Sequence, residues 1–308
     1  MAMKRSILCF VLAAFAPIAC TRLHDAWRFF ATHCPADGPV REARLAIHLE
    51  PVDLPRYYSD LRSAAEGLPV HELARVPARD DLLPVYHVGP VGPSSSYRIL
   101  VVAGVHGNEI AASLAAPRIL EDARHHPADY EGCDVHLIAP ANPVGLVSQS
   151  RYNAQGCDIN RDFGAFQTPE ARAIRTAFDH VSPDLVVALH EGPQDGFYLI
   201  ATTATPPSLP KAVIDAVRSQ GVVLSSTTFL GTRLRDAGYE HEGRAKTLLK
   251  RLIRLQSLGA FAQRYNVGTL TTESPWSSAD VASRIQAQVA AVRAVCAEGR
   301  RLPDVGAS

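Results

Sequence analysis

The chain has 308 residues, 47% of them hydrophobic, with 31 basic and 31 acidic side chains and a formal net charge of zero. This is enough chain to bury one large core or two small ones. The even, scattered charge excludes the basic stripe of a nucleic-acid binder and the polybasic patch of an anionic-membrane binder, and no repeat or low-complexity tract is present.

The chain opens on a targeting segment. Lys4 and Arg5 precede an apolar run from Ile7 to Ala19, too short to span a bilayer and of signal-peptide length. The run closes Ala16-Pro17-Ile18-Ala19-Cys20. A small residue followed by Cys at this depth resembles a bacterial lipoprotein processing site, in which Cys20 carries the lipid. Pro17 stands where an aliphatic residue is usual, so ordinary cleavage and release is the alternative. Residues 1–20 are therefore expected to be a signal peptide. The mature protein is expected to be exported, either periplasmic or held at the membrane only through a lipid on Cys20. Export permits disulfides. Cys34, Cys133, Cys157 and Cys296 lie beyond Cys20 and match no metal knuckle such as C-x-x-C. Cys133 with Cys157 is a candidate bridge, although spacing does not determine connectivity.

Residues 21–80 read as an N-terminal helical layer, with helices over Val40–His48 and Tyr57–Gly67 separated by Pro51 and Pro55. From residue 81 to 298, short apolar runs alternate with longer amphipathic ones. The strand candidates are Pro84–Val88, Arg98–Ala103, Asp134–Ala139, Asp184–Leu189, Phe197–Thr202 and Gly268–Thr272. The helix candidates are Ile110–Ala123, Pro169–Val181, Leu209–Gln220, Gly243–Arg264 and Ser278–Ala297, and Pro117 is expected to kink or interrupt the first. Such alternation predicts a single α/β domain whose mixed, mostly parallel sheet is flanked by helices. Its site is expected beyond the carboxyl ends of the strands. Residues 299–308 form a polar tail expected to be flexible.

Four groups sit where predicted strands end or loops begin. His106 and Glu109 lie three residues apart at a strand-to-helix turn, between glycines that leave room for a sharp bend. His190 ends the run LVVAL, and Glu273 ends GTLTT. Two histidines and a glutamate suit zinc, with a fourth position left for water. Glu191 follows His190 but points to the opposite face of a strand, and Gln194 breaks any H-E-x-x-H pattern. The chain has twelve histidines, and a lone strand-end histidine is ordinarily just hydrogen bonded. What distinguishes His106, Glu109 and His190 is the loop from Arg151 to Phe163. There Asn160-Arg161 can clamp a carboxylate, and Arg151 offers a fixed positive charge for an oxyanion. Glu273 is a carboxylate in an apolar strand, costly to bury without a role.

In this order, H-x-x-E, R-x-N-x-x-G-x-D-x-N-R, a strand-terminal His and T-x-E resemble the zinc metallocarboxypeptidases over about residues 80–295. The resemblance implies one zinc per chain on His106, Glu109 and His190. It also implies Arg151 at the oxyanion, Asn160 and Arg161 on the substrate's terminal carboxylate, Glu273 as general base and Asp158 orienting the first ligand histidine. Neither Tyr239 nor Tyr265 sits in a motif that aligns with the family's substrate-covering tyrosine. The segment after Cys20 is shorter than the inhibitory domain of the secreted digestive members. The compact length and the Arg151–Arg161 loop look more like the bacterial members, some of which trim cell-wall peptides.

The function expected from these residues is zinc-assisted hydrolysis of an amide bond near a free carboxylate, in peptides or peptidoglycan peptides. The closest alternative is an N-acyl amino acid amidohydrolase of the succinylglutamate desuccinylase and aspartoacylase type, which resembles the same fold and zinc set. A non-catalytic zinc-containing peptide- or wall-binding lipoprotein is the alternative from another class, and Glu273 speaks against it because a pure binder needs no general base.

Overall fold

Two runs of aliphatic residues, YRILVVA and LVVALHEG, form the centre of an eight-stranded sheet as β3 (Tyr97–Ala103) and β5 (Leu185–Gly192). The computed structural model describes residues 52–68, 70–76, 81–88, 97–228, 230–243, 248, 256–276 and 280–302. The expected signal peptide with Cys20, the helix over Val40–His48 and the end of the tail lie outside the described residues.

The remaining strands are β1 (Val70–Val76), β2 (Asp81–Val88), β4 (Cys133–Ile138), β6 (Tyr198–Ala201), β7 (Tyr239–His241) and β8 (Gly268–Pro275). They lie in the order β1-β2-β4-β3-β5-β8-β6-β7. The block β4-β3-β5-β8 is parallel, as is β6 with β7, whereas β1–β2, β2–β4 and β6–β8 are antiparallel. This is the mixed α/β sheet read from the alternation of elements. The segment expected as a helical layer over 21–80 contains the helix α1 (Leu54–Ala64) and also β1, which forms a sheet edge.

Strand pleating divides the core in two. Ile99, Val101, Leu185, Val187 and Leu189 face α2 (Ile110–His125), α6 (Ser208–Ser219) and α8 (Val281–Gly299). Leu100, Val102, Val186 and Ala188 face α5 (Pro169–Val181) and α7 (Leu258–Ala262). Short helices α3 (Pro127–Tyr130) and α4 (Pro143–Ser148) flank β4 in sequence. Each buried Val, Leu or Ile contributes about 1.5–3 kcal/mol, so the sheet centre is a firm platform for whatever projects from its end.

Three sequence expectations change. Pro117 does not interrupt α2, which runs unbroken to His125. A proline there leaves the carbonyl of Ser113 without its helical donor, and the Tyr57 hydroxyl of α1 donates to that oxygen at 2.8 Å. Among the described residues, Leu248 of the helix expected over Gly243–Arg264 is helical, but the helix is broken at Gln256 and Ser257 and starts anew at Leu258. Ser257 caps α7 by accepting from the Ala260 amide, and a 3-10 turn follows over Gln263–Tyr265. The Cys133–Cys157 bridge is absent. Cys133 and Cys296 are free, the Cys133 thiol donating to the Cys296 carbonyl, while Cys157 is in a disulfide whose partner lies outside the described residues. Cys133 pairs with Tyr97 at the start of β3, whereas Cys157 adjoins Asp158, which touches His106 beyond its far end. The seven residues of β3, about 20 Å of strand, separate the two.

Replacing Tyr57 with Phe removes the donor that replaces the missing amide at Pro117. A loss of about 1 kcal/mol is expected in urea unfolding; an unchanged midpoint with unchanged slope would contradict this account.

Candidate metal centre

Parallel strands β3, β5 and β8 end at the same edge of the sheet, and the predicted site residues collect there. After β3 the chain turns at Gly104, where φ is +74° and a Cβ would lie 2.2 Å from the Ser113 hydroxyl. At Gly107 a Cβ would lie 1.8 Å from the Gly145 backbone, so only glycine lets α4 approach the turn. This bend delivers His106 and Glu109 to the head of α2.

Glu109 occupies the N-cap of α2 without making a side-chain cap. Its carboxylate turns instead to two histidines, with Oε1 2.6 Å from His106 Nδ1 and Oε2 2.7 Å from His190 Nδ1. The helix-start amide of Ala111 is satisfied by Glu191, whose Oε2 accepts it at 2.7 Å. Pleating sends His190 to one face of β5 and Glu191 to the other, where its Oε1 accepts from Arg284 at 2.8 Å and from the Ser274 hydroxyl at 3.2 Å. Gln288 of α8 donates to the His190 carbonyl at 2.9 Å. Burial pushes the Glu191 carboxyl up to about 7, against the pull of Arg284 and the Ala111 amide.

Asp158 anchors the other side. Its Oδ1 lies 3.2 Å from His106 Nε2 and its Oδ2 accepts from Arg151 Nε at 2.9 Å. Burial disfavours its charge, but Arg151, Arg161 and His106 outweigh burial and hold Asp158 well below the usual carboxylate range. The same balance, with His106 and His190 opposing burial, keeps Glu109 ionised.

These contacts test whether a metal fits. A carboxylate at His106 Nε2 favours a proton there and leaves Nδ1 with a lone pair. In that tautomer the Nδ1 lone pair and the Glu109 oxygen 2.6 Å from it are two donor atoms that one cation can share. Ligand atoms of His106, Glu109 and His190 all lie within 4.8 Å of one another, and all three residues are buried. An N,O,N set of this size fits zinc.

Glu273 stands beside the centre, directly opposite His190 in the β5–β8 register. Burial raises its carboxyl to about 8; His190 and Arg151 pull it down, and Glu109 and Glu191 push it up. A divalent cation at the histidines would lower it. Arg151 Nη1 lies 3.3 Å from His106 Nδ1 and 3.8 Å from Glu109 Oε1, so its positive charge borders the same space. Arg161 donates to the Asn160 carbonyl at 2.9 Å, and burial lowers its guanidinium to about 10 against the pull of Asp158. The Asn160 Oδ1 accepts from the Leu258 amide at 2.9 Å, which leaves the Nδ2 hydrogens as the side chain's donors. Thus all eight predicted residues gather around one sheet edge. Sequence reading gave Gln194 no part in the site, yet the fold brings it against Glu273, its Nε2 donating to the Glu273 carbonyl at 3.0 Å. Only the Gly192-Pro193 turn hinted at that return.

Comparison with known proteins places this geometry. Residues 95–222 match the succinylglutamate desuccinylase/aspartoacylase catalytic domain. A probable carboxypeptidase 2 from Arthroderma benhamiae is 31% identical over 104 residues, 32% of this chain and 20% of that protein, so the chain matches about a fifth of the curated relative's length. The fold is similar to the crystal structure of a proposed metallopeptidase from Shewanella denitrificans, with a TM-score of 0.66 and 21% identity over 81% of this chain and 92% of the other. A metallo-carboxypeptidase from Burkholderia cenocepacia gives 0.58 and 16% over 80% and 69%, and bovine thrombin-activatable fibrinolysis inhibitor gives 0.61 and 10% over 82% and 98%.

His190→Ala should abolish stoichiometric zinc retention on dialysis, read by elemental analysis. Burial opposes charge on His190, but the Glu109 carboxylate outweighs it and raises the His190 pKa, so protons compete with the metal and wild-type zinc affinity should fall as pH drops through that raised value. Zinc retention by the variant would remove His190 from the ligand set.

Proposed function

We propose that this chain, which has the zinc-carboxypeptidase-like fold and a succinylglutamate desuccinylase/aspartoacylase-type domain over residues 95–222, is a zinc-dependent carboxypeptidase. Its reaction is hydrolysis of an amide bond next to a free carboxylate. The observation that carries this reading is the convergence of His106, Glu109 and His190 with Glu273 facing them from the neighbouring strand.

His106, Glu109 and His190 would hold the zinc, which would supply Lewis acidity and lower the pKa of a water from ~15.7 towards ~7. Glu273 takes a proton from the attacking water and later delivers it to the leaving nitrogen. Arg151, fixed by Asp158, places its guanidinium where negative charge develops on the carbonyl oxygen. Arg161 and the Asn160 Nδ2 group hold the terminal carboxylate, so the scissile bond arrives already oriented. Asp158 keeps the His106 ring and the Arg151 fork in register. The basic-then-apolar segment ending at Cys20 supports an exported enzyme, periplasmic or lipid-anchored through Cys20, and the resemblance of the Arg151–Arg161 loop to bacterial members supports cell-wall peptides as its substrates.

The match over residues 95–222 favours a second reading, with a small N-acyl amino acid in place of the peptide. Both substrates present an amide beside a carboxylate. Metal analysis combined with parallel digestion of a peptide mixture and a panel of N-acyl amino acids separates them: release of C-terminal residues supports the first reading, and turnover of acyl amino acids alone overturns it.

Glu273→Gln should retain zinc and lose about 10²–10⁴ of kcat; full activity in that variant would overturn its assignment as general base. Arg161→Ala should raise KM for substrates with a free carboxylate by about 10–100-fold and leave their amidated analogues unaffected. Equal effects on both would remove the clamp.

A further inference from the structure

Gln194 is 4% exposed and lies two residues past the end of β5. Its amide orientation follows from its partner: the Glu273 carbonyl accepts only, so the atom 3.0 Å away is Nε2. Oε1 is thereby directed elsewhere, and it is a buried acceptor with no hydrogen-bond partner among the described residues. Such a group is costly to leave without a donor.

The position of Oε1 is defined by Gly192. Strand alternation places the missing Gly192 side chain on the same face as His190. A Cβ there would lie 2.3 Å from Gln194 Oε1 and 3.2 Å from Glu273 Oε2. The two oxygens therefore border one small space on the reacting face. Gly192 keeps that space open, and its carbonyl accepts from the Trp276 amide at 2.8 Å, tying the turn to the end of β8. Two acceptors bordering one space suit a donor with two hydrogens.

We infer that Gln194 is a specificity-determining residue whose carboxamide oxygen accepts the N–H of the scissile amide, selecting secondary amides over esters and N-alkylated amides. The inference rests on the hydrolytic reading of the site. In that reaction water oxygen bonds to the carbonyl carbon, the C–N bond breaks, and its electron pair leaves on nitrogen. The nitrogen keeps its own hydrogen, which Gln194 holds, and gains a second from Glu273. An ester oxygen brings no hydrogen and presents a lone pair to Gln194 instead.

The test compares an amide and its isosteric ester, with the same acyl and leaving groups, in wild type and Gln194→Met. The variant should lower the amide-to-ester ratio of kcat/KM at least about tenfold, with zinc content unchanged. Intrinsic ester reactivity cancels in that comparison. If Gln194 served only to hold the Glu273 backbone, both substrates would lose activity alike and the ratio would not move, which overturns the inference. Should wild type hydrolyse neither substrate, the hydrolytic reading fails, and calorimetric binding of the same pair decides separately. A selective loss of amide binding in Gln194→Met supports the acceptor role, and an equal loss or none overturns it.

Discussion

The site depends on where the Glu109 carboxylate goes. At the head of a helix an acidic side chain ordinarily folds back on its own amides. Here it reaches across to His106 from its own turn and His190 from β5, joining two strands at their ends. The amide of Ala111 then needs another acceptor, and Glu191 supplies it from the same strand that carries His190. One strand end thus contributes a histidine paired with Glu109 on one face and a helix-anchoring glutamate on the other.

That division explains the position of α8, whose Arg284 is 93 residues from Glu191 in sequence. Arg284 neutralises the buried Glu191, and Gln288 binds the His190 carbonyl, the Thr272 hydroxyl and the Ser274 hydroxyl. The Arg284 and Gln288 contacts to Glu191, Thr272 and Ser274 lie on the side of the sheet opposite the His190 and Glu273 side chains. Breaking a buried pair of this kind typically costs about 3–5 kcal/mol, so α8 resists displacement of the β5 and β8 ends. Rigid support on one side and the His190–Glu273 pair on the other are two consequences of the same pleat.

The chain's relatives divide along the line that the residues leave open. The matched domain is of the desuccinylase and aspartoacylase type, while the solved structures of similar fold include metallo-carboxypeptidases.

The sequence by itself determined the α/β alternation and singled out His106, Glu109, His190 and Glu273 as candidates, because apolar runs and motif order are local properties of the chain, although β5 and β8 each run three residues past the expected ends at Leu189 and Thr272. The pleat even let Glu191 be assigned to the opposite face in advance. It could not determine that Pro117 stays inside a helix, since the compensating donor is Tyr57, more than fifty residues away. Nor could it separate Cys133 from Cys157, which strand β3 sets at opposite ends of the sheet. Gln194 was invisible for the same reason: its meaning comes from the Glu273 carbonyl and the space over Gly192. These were decided only by tertiary structure, where partners distant in sequence meet.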